Sequence, residues 1–192
     1  MRRCILLTLA LFALLPRLYA QREDPALSDG EVEKLRDSAY IPADRILVFI
    51  KFLDQRSSAI QDLYAHPRKP GRELDTHDLL EQFTSIASEL EDNLDDYGPH
   101  HRDLRRSLPK LLAATERWAT ALKTPPDDEN YNVSRKLALE AIRDLRQDTT
   151  ELIEQQRTYF ATHPDAAKAE KQRESGSPSD VPSDAPRGAH PE

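Results

Sequence analysis

Large apolar residues return every three or four positions from Leu79 to Leu122, and this spacing constrains the fold more than any other feature of the chain. Leu79, Phe83, Ile86, Leu90, Leu94 and Tyr97 fall on one face of a helix. Leu104, Leu108, Leu111, Trp118 and Leu122, with Thr115 in register, fall on one face of the next. The alternation of steps of four and three is the seam of helices packed at a shallow angle. Earlier, Ile46, Phe49, Ile50, Leu53, Ile60 and Tyr64 repeat the pattern. Later, Leu137, Ile142, Leu145, Leu152 and Tyr159 do so, with Leu139, Ile153 and Phe160 flanking.

Punctuation sets the boundaries. Ser28 followed by Glu31 is a capping box for a short first helix carrying Val32, Leu35 and Ala39. A second helix is expected from Pro42, where a missing N–H costs nothing, to His66-Pro67. The third is expected to be capped by Asp75 or Thr76 and to end at Gly98-Pro99, with Gly98 as a left-handed C-cap. The fourth is expected to run through Pro109 with a kink and to close at Pro125-Pro126. The fifth spans Asn132 to Thr162 and stops at His163-Pro164. The connection at Gly98-Pro99 is so short that the third and fourth helices are expected to be antiparallel neighbours. The fold class read from this is all-α: an antiparallel (up-down-up-down) four-helix bundle with a short leading helix, over residues 21–164.

The two ends read differently. Arg2 and Arg3, the apolar run Ile5–Leu15 and then Ala20 follow the order of a secretory signal, too short to span a membrane. Residues 1–20 are therefore expected to be a signal peptide, the product to begin at Gln21, and the protein to be secreted or periplasmic. The only cysteine, Cys4, lies in that segment, so disulfides and cysteine metal sites are not expected beyond it. Of 27 basic residues three (Arg2, Arg3 and Arg17) also lie there, leaving 24 against 34 acidic ones, a formal charge of −10. Nucleic acid is then not an expected partner. From Asp165 to Glu192 the only aliphatic side chain larger than alanine is Val181, so a disordered tail is expected, whose removal changes stability little.

Catalytic motifs are absent. The chain has no Walker loop, no G-x-G-x-x-G, no G-x-S-x-G and no H-E-x-x-H. No glutamate has a histidine three residues on, as di-iron bundles require. A non-enzymatic protein without a cofactor is expected. The stretch from Asp92 to Arg106 places Asp95, Asp96, His100 and His101 near one corner, and His163 ends the fifth helix, donor types that could hold zinc or a similar ion if brought together. Adjacent histidines on a helix diverge by about 100 degrees, and no ligand spacing repeats. No catalytic, cofactor-binding or metal residue is therefore assigned. Instead, Asp92 or Asp95 is expected to pair with Arg102, Arg105 or Arg106 across the corner, offsetting charges unfavourable to each helix dipole. His66 and His163, in last turns, suit the dipole at a helix end. Asn132-Val133-Ser134 matches a glycosylation sequon, a pattern short enough to arise by chance.

The functional expectation is an extracytoplasmic interaction or structural module whose partner is another protein. The alternative is a bundle that binds a small apolar ligand, lipid or metal ion.

Overall fold

The structure, a computed structural model, describes residues 25–175, with side chains through Arg173. The expected signal peptide and the last part of the expected tail lie outside the described residues. Within them the chain is all-helical: α1 (Asp29–Asp37), α2 (Pro42–Ala65), α3 (Arg72–Tyr97), α4 (Leu108–Ala121), α5 (Asn132–Thr162) and α6 (Pro164–Ser175). No helix among the described residues is long and apolar enough to cross a membrane.

Local signals explain most boundaries. Glu31 reaches back to the Ser28 backbone N–H at 2.9 Å, so α1 begins where the capping box places it. Pro42 opens α2. The α3 start differs from expectation: the helix begins at Arg72 after Gly71, which adopts φ 87°, a left-handed conformation suited to glycine. Thr76 lies inside it, fully buried, its hydroxyl bonded to the Arg72 carbonyl at 2.7 Å.

The four long helices close a ring in the order α2–α3–α5–α4. Arg45 meets Asn93 and Arg56 meets Gln82, so α2 and α3 run antiparallel. Arg146 meets Glu116 and Arg105 lies over Phe160, so α4 and α5 do too. His77 meets Ser134, and Glu91 meets Asp148 at the same sequence offset, so α3 and α5 run parallel. The third and fourth helices are thus not the expected neighbours. They lie diagonally across the core, meeting through side chains such as Phe83 and Trp118.

The segment 98–107 accounts for this. Gly98 is not a left-handed cap: it has φ −56°, and its small size matters because an added Cβ would stand 3.0 Å from Leu152. The left-handed residue is His101, at φ 51°. Buried Gln156 on α5 holds the crossing chain, accepting from the Leu104 N–H at 2.9 Å and donating to the Arg102 carbonyl at 2.6 Å. Pro109 does not kink a helix. It stands in the first turn of α4, where proline lacks nothing it needs, and Leu104 belongs to the crossing chain.

The tail also departs from expectation. Residues 164–175 form α6, begun by Pro164. Its sequence A-A-K-A-E-K-Q-R is made of strong helix formers, which the count of apolar residues ignored. Buried Glu170 accepts from Arg102 at 3.2 Å and from Arg173 at 2.7 Å, tying the helix back to the crossing segment.

The core is continuous. Phe49, Phe52, Leu53 and Ile60 from α2 meet Phe83 and Leu90 from α3, Trp118 from α4 and Leu145 from α5. Leu137, expected on the buried face of α5, is half exposed, and its neighbour Ala138 is buried instead.

Candidate functional site: the α3–α5 face and the histidine end

The corner weighed for a metal is assembled differently from a ligand set. His100 Nδ1 donates to the Asp96 carbonyl at 2.6 Å. His101 stacks on Tyr159 with ring centroids 3.8 Å apart, and His163 stacks on the other side of that ring at 4.4 Å. Tyr159 therefore separates the two imidazoles that a metal would need together. No group of three or more candidate ligands able to hold a metal occurs among the described residues. His66 and His163 cap their helices as expected in kind, each with Nδ1 near a carbonyl of the last turn: Asp62 at 2.9 Å and Tyr159 at 3.0 Å.

The expected ion pairs across the corner are not formed. Arg102 pairs with Glu170, Arg105 with Asp103 at 2.6 Å, and Arg106 with Asp44 at 2.8 Å. The reason is the diagonal placement of α3 and α4. The crossing segment carries the arginines away from the end of α3 and toward α2 and α6.

Left without those cations, the acidic residues of α3 face α5. Glu91 and Asp148 stand close enough to act on each other, as do Asp95 and Asp144 on both and Asp92 on Glu91. Among the described residues no arginine or lysine pairs with Glu91, Asp92, Asp95 or Asp148; Asp144 is held by its sequence neighbour Arg143 at 3.0 Å. Partial burial raises the Glu91 carboxyl above its ordinary range, and repulsion from Asp148 and Asp95 adds to it. Burial likewise raises Asp148, with repulsion from Asp95, Glu151 and Asp144 and a smaller opposing effect of Glu91.

A raised carboxylate in the fold makes proton binding stronger folded than unfolded, so stability rises as pH falls through the folded pKa. We expect Glu91→Gln combined with Asp148→Asn to stabilise the protein at pH 7 by a few tenths to about 1 kcal/mol, the scale of partly exposed charge pairs. Chemical denaturation at pH 7 and pH 5 checks this: the gain should shrink at the lower pH. An equal gain at both values would mean the two carboxylates do not repel.

At the other end of the same seam, Ser134 Oγ lies 3.0 Å from His77 Nδ1, and His77 Nε2 lies 3.2 Å from Glu81. The serine–histidine–carboxylate order is that of a nucleophilic relay. Ser134 is 5% exposed, and its hydroxyl bridges two packed helices. The line clasps α3 to α5. Beside it Leu74, Val133 and Leu137 are exposed apolar side chains at the starts of these helices.

A pocket of about 310 Å³ opens between α4 and α5, floored by Leu108, Pro109, Ile153, Phe160 and Ala161 and flanked by Arg105 and Arg157. Nothing in the local sequence marks it, because its two walls meet only through the ring order of the helices. No family model matches the chain, and no match is found among curated proteins or solved structures.

Proposed function

We propose that the protein is an exported, non-enzymatic interaction module, an up-down-up-down helical bundle whose α3–α5 face engages a basic surface of another protein. The alternation of direction along the four long helices supports the bundle reading. The observation that carries the functional reading is the set of carboxylates crowded around Glu91 and Asp148, with Asp92 and Asp95, none of which finds a cationic partner among the described residues.

Such a cluster weakens the free protein and gains from a cationic partner that neutralises it. The apolar residues Leu74, Val133 and Leu137 continue the same seam, adding area that contact would remove from water. A face with a non-polar end and an acidic end fits a partner segment with the reverse order of charge.

The test compares crosslinked partners of the wild-type chain, in its own export compartment, with those of a Glu91→Gln, Asp95→Asn, Asp148→Asn variant. The variant should fold with equal or greater stability and lose a specific partner. Capture of the same proteins by both chains would overturn the reading.

A further inference from the structure

We propose that the pocket between α4 and α5 binds a small amphiphile with a carboxylate head and a short apolar tail. It lies apart from the α3–α5 face and does not depend on the function proposed there.

The apolar part of the argument is the floor. Leu108 and Pro109 come from the first turn of α4; Ile153, Phe160 and Ala161 come from the last three turns of α5. A volume of about 310 Å³ falls at the small end of ligand pockets. At roughly 30 Å³ for each water-sized group, it suits about ten non-hydrogen atoms, the size of octanoate.

The polar part is Arg105. Its guanidinium is fixed on two sides: Nε and Nη2 donate to the Asp103 carboxylate at 2.9 and 2.6 Å, and the group lies 4.2 Å over the Phe160 ring. Nη1 has no bond partner among the described residues, so a guanidinium already oriented at the pocket edge keeps one donor edge free. Asp103 neutralises part of its charge, which alone would leave little attraction for an anion. Arg157 supplies the second cation. Among the described residues it pairs with Glu154, in the same helix, and both side chains are mostly exposed, so this pair costs little to exchange for a ligand carboxylate. The head would accept from Arg105 and Arg157 while the tail covers Ile153 and Ala161. A fork-like guanidinium suits a planar carboxylate better than a point charge would.

Nuclear magnetic resonance titration of the isotope-labelled full chain with sodium octanoate tests this. Saturable shifts should centre on Ile153, Phe160 and Ala161. Octan-1-ol, with the same tail and no charge, should bind at least tenfold more weakly, as should octanoate to an Arg105→Gln or Arg157→Gln variant. Ala161→Phe, which fills the pocket without touching the arginines, should abolish binding while leaving the helical circular dichroism intact. Shifts spread over the whole surface, or binding unchanged by Ala161→Phe, would overturn the proposal. So would binding to vesicles of anionic phospholipid by a chain that ignores octanoate, which would make the ligand a lipid surface.

Discussion

Trp118→Ala is expected to lower the unfolding free energy by roughly 3 to 5 kcal/mol, read from denaturant midpoints at constant slope. Trp118 is fully buried in the last turn of α4, the largest side chain in the core. Its ring meets Phe83 edge to face, with centroids 5.6 Å apart, so its loss opens a cavity shared by two diagonal helices. The indole Nε1 also donates to Asp54 Oδ1 at 2.7 Å, joining α4 to α2. Asp54 keeps Arg117 as a second donor at 3.1 Å and is partly exposed, so the cavity should dominate the loss. Trp118→Phe separates the two contributions. It retains most of the apolar volume and removes the donor, and should cost well under half as much as alanine. An alanine variant losing less than about 1 kcal/mol would show that the surrounding helices collapse onto the site.

Trp118 shows what periodicity can deliver. Its place in the α4 stripe marked it as buried without any knowledge of neighbours, and the extents of α2 and α5 followed from the same pattern and the prolines around them. Residues whose role depends on another helix were illegible. Gly98 caps α3 as its position suggests, but not in the left-handed conformation usual for glycine there; its closeness to Leu152 depends on how α3 and α5 pack. Tyr131 read as loop, yet its hydroxyl is bonded to Pro126 and Tyr64 and its ring is buried. Gln156 had no sequence signal at all, since a polar residue in a helix is usually solvated. The arginines at 102, 105 and 106 are visible as a cluster, but their partners are not, because a short Gly-Pro connection usually joins neighbouring helices and here does not. The chain instead uses the whole segment 98–107 to pass from α3 to the diagonally placed α4. That one difference in adjacency hides the acidic α3–α5 seam and the α4–α5 pocket, since both require the ring order.

Arg56→Ala is expected to cost about 3 to 5 kcal/mol, the scale of breaking one partner out of a buried ion pair. Arg56 and Glu31 are 14% and 10% exposed at their side chains, and the guanidinium fork grips both carboxylate oxygens, at 2.6 and 2.8 Å. Two more of its donors are engaged, with Gln82 Oε1 at 3.0 Å and the Ala26 carbonyl at 2.8 Å. One residue therefore fastens α1 and the chain before it to α2 and α3, a task the single buried leucine of α1, Leu35, does not perform alone. The same pair gives an independent check through pH. Arg56, then the Ser28 backbone and hydroxyl, hold the Glu31 carboxyl down to about 2 from 4.5 against the opposing effect of burial. A depressed carboxylate contributes stability that is complete above the unfolded value and is lost as pH falls from about 4.5 through about 2. The shift corresponds to something on the order of 3 kcal/mol, consistent with the mutational expectation. Acid titration of stability should thus be steeper over that interval in the wild type than in Glu31→Gln, where only the other shifted carboxylates, such as Asp103, still contribute. Replacing both residues with methionine should cost less than Arg56→Ala, because no charge is then left buried and unpaired. If Arg56→Ala and the double methionine variant are equally unstable, the clasp acts through packing rather than through charge.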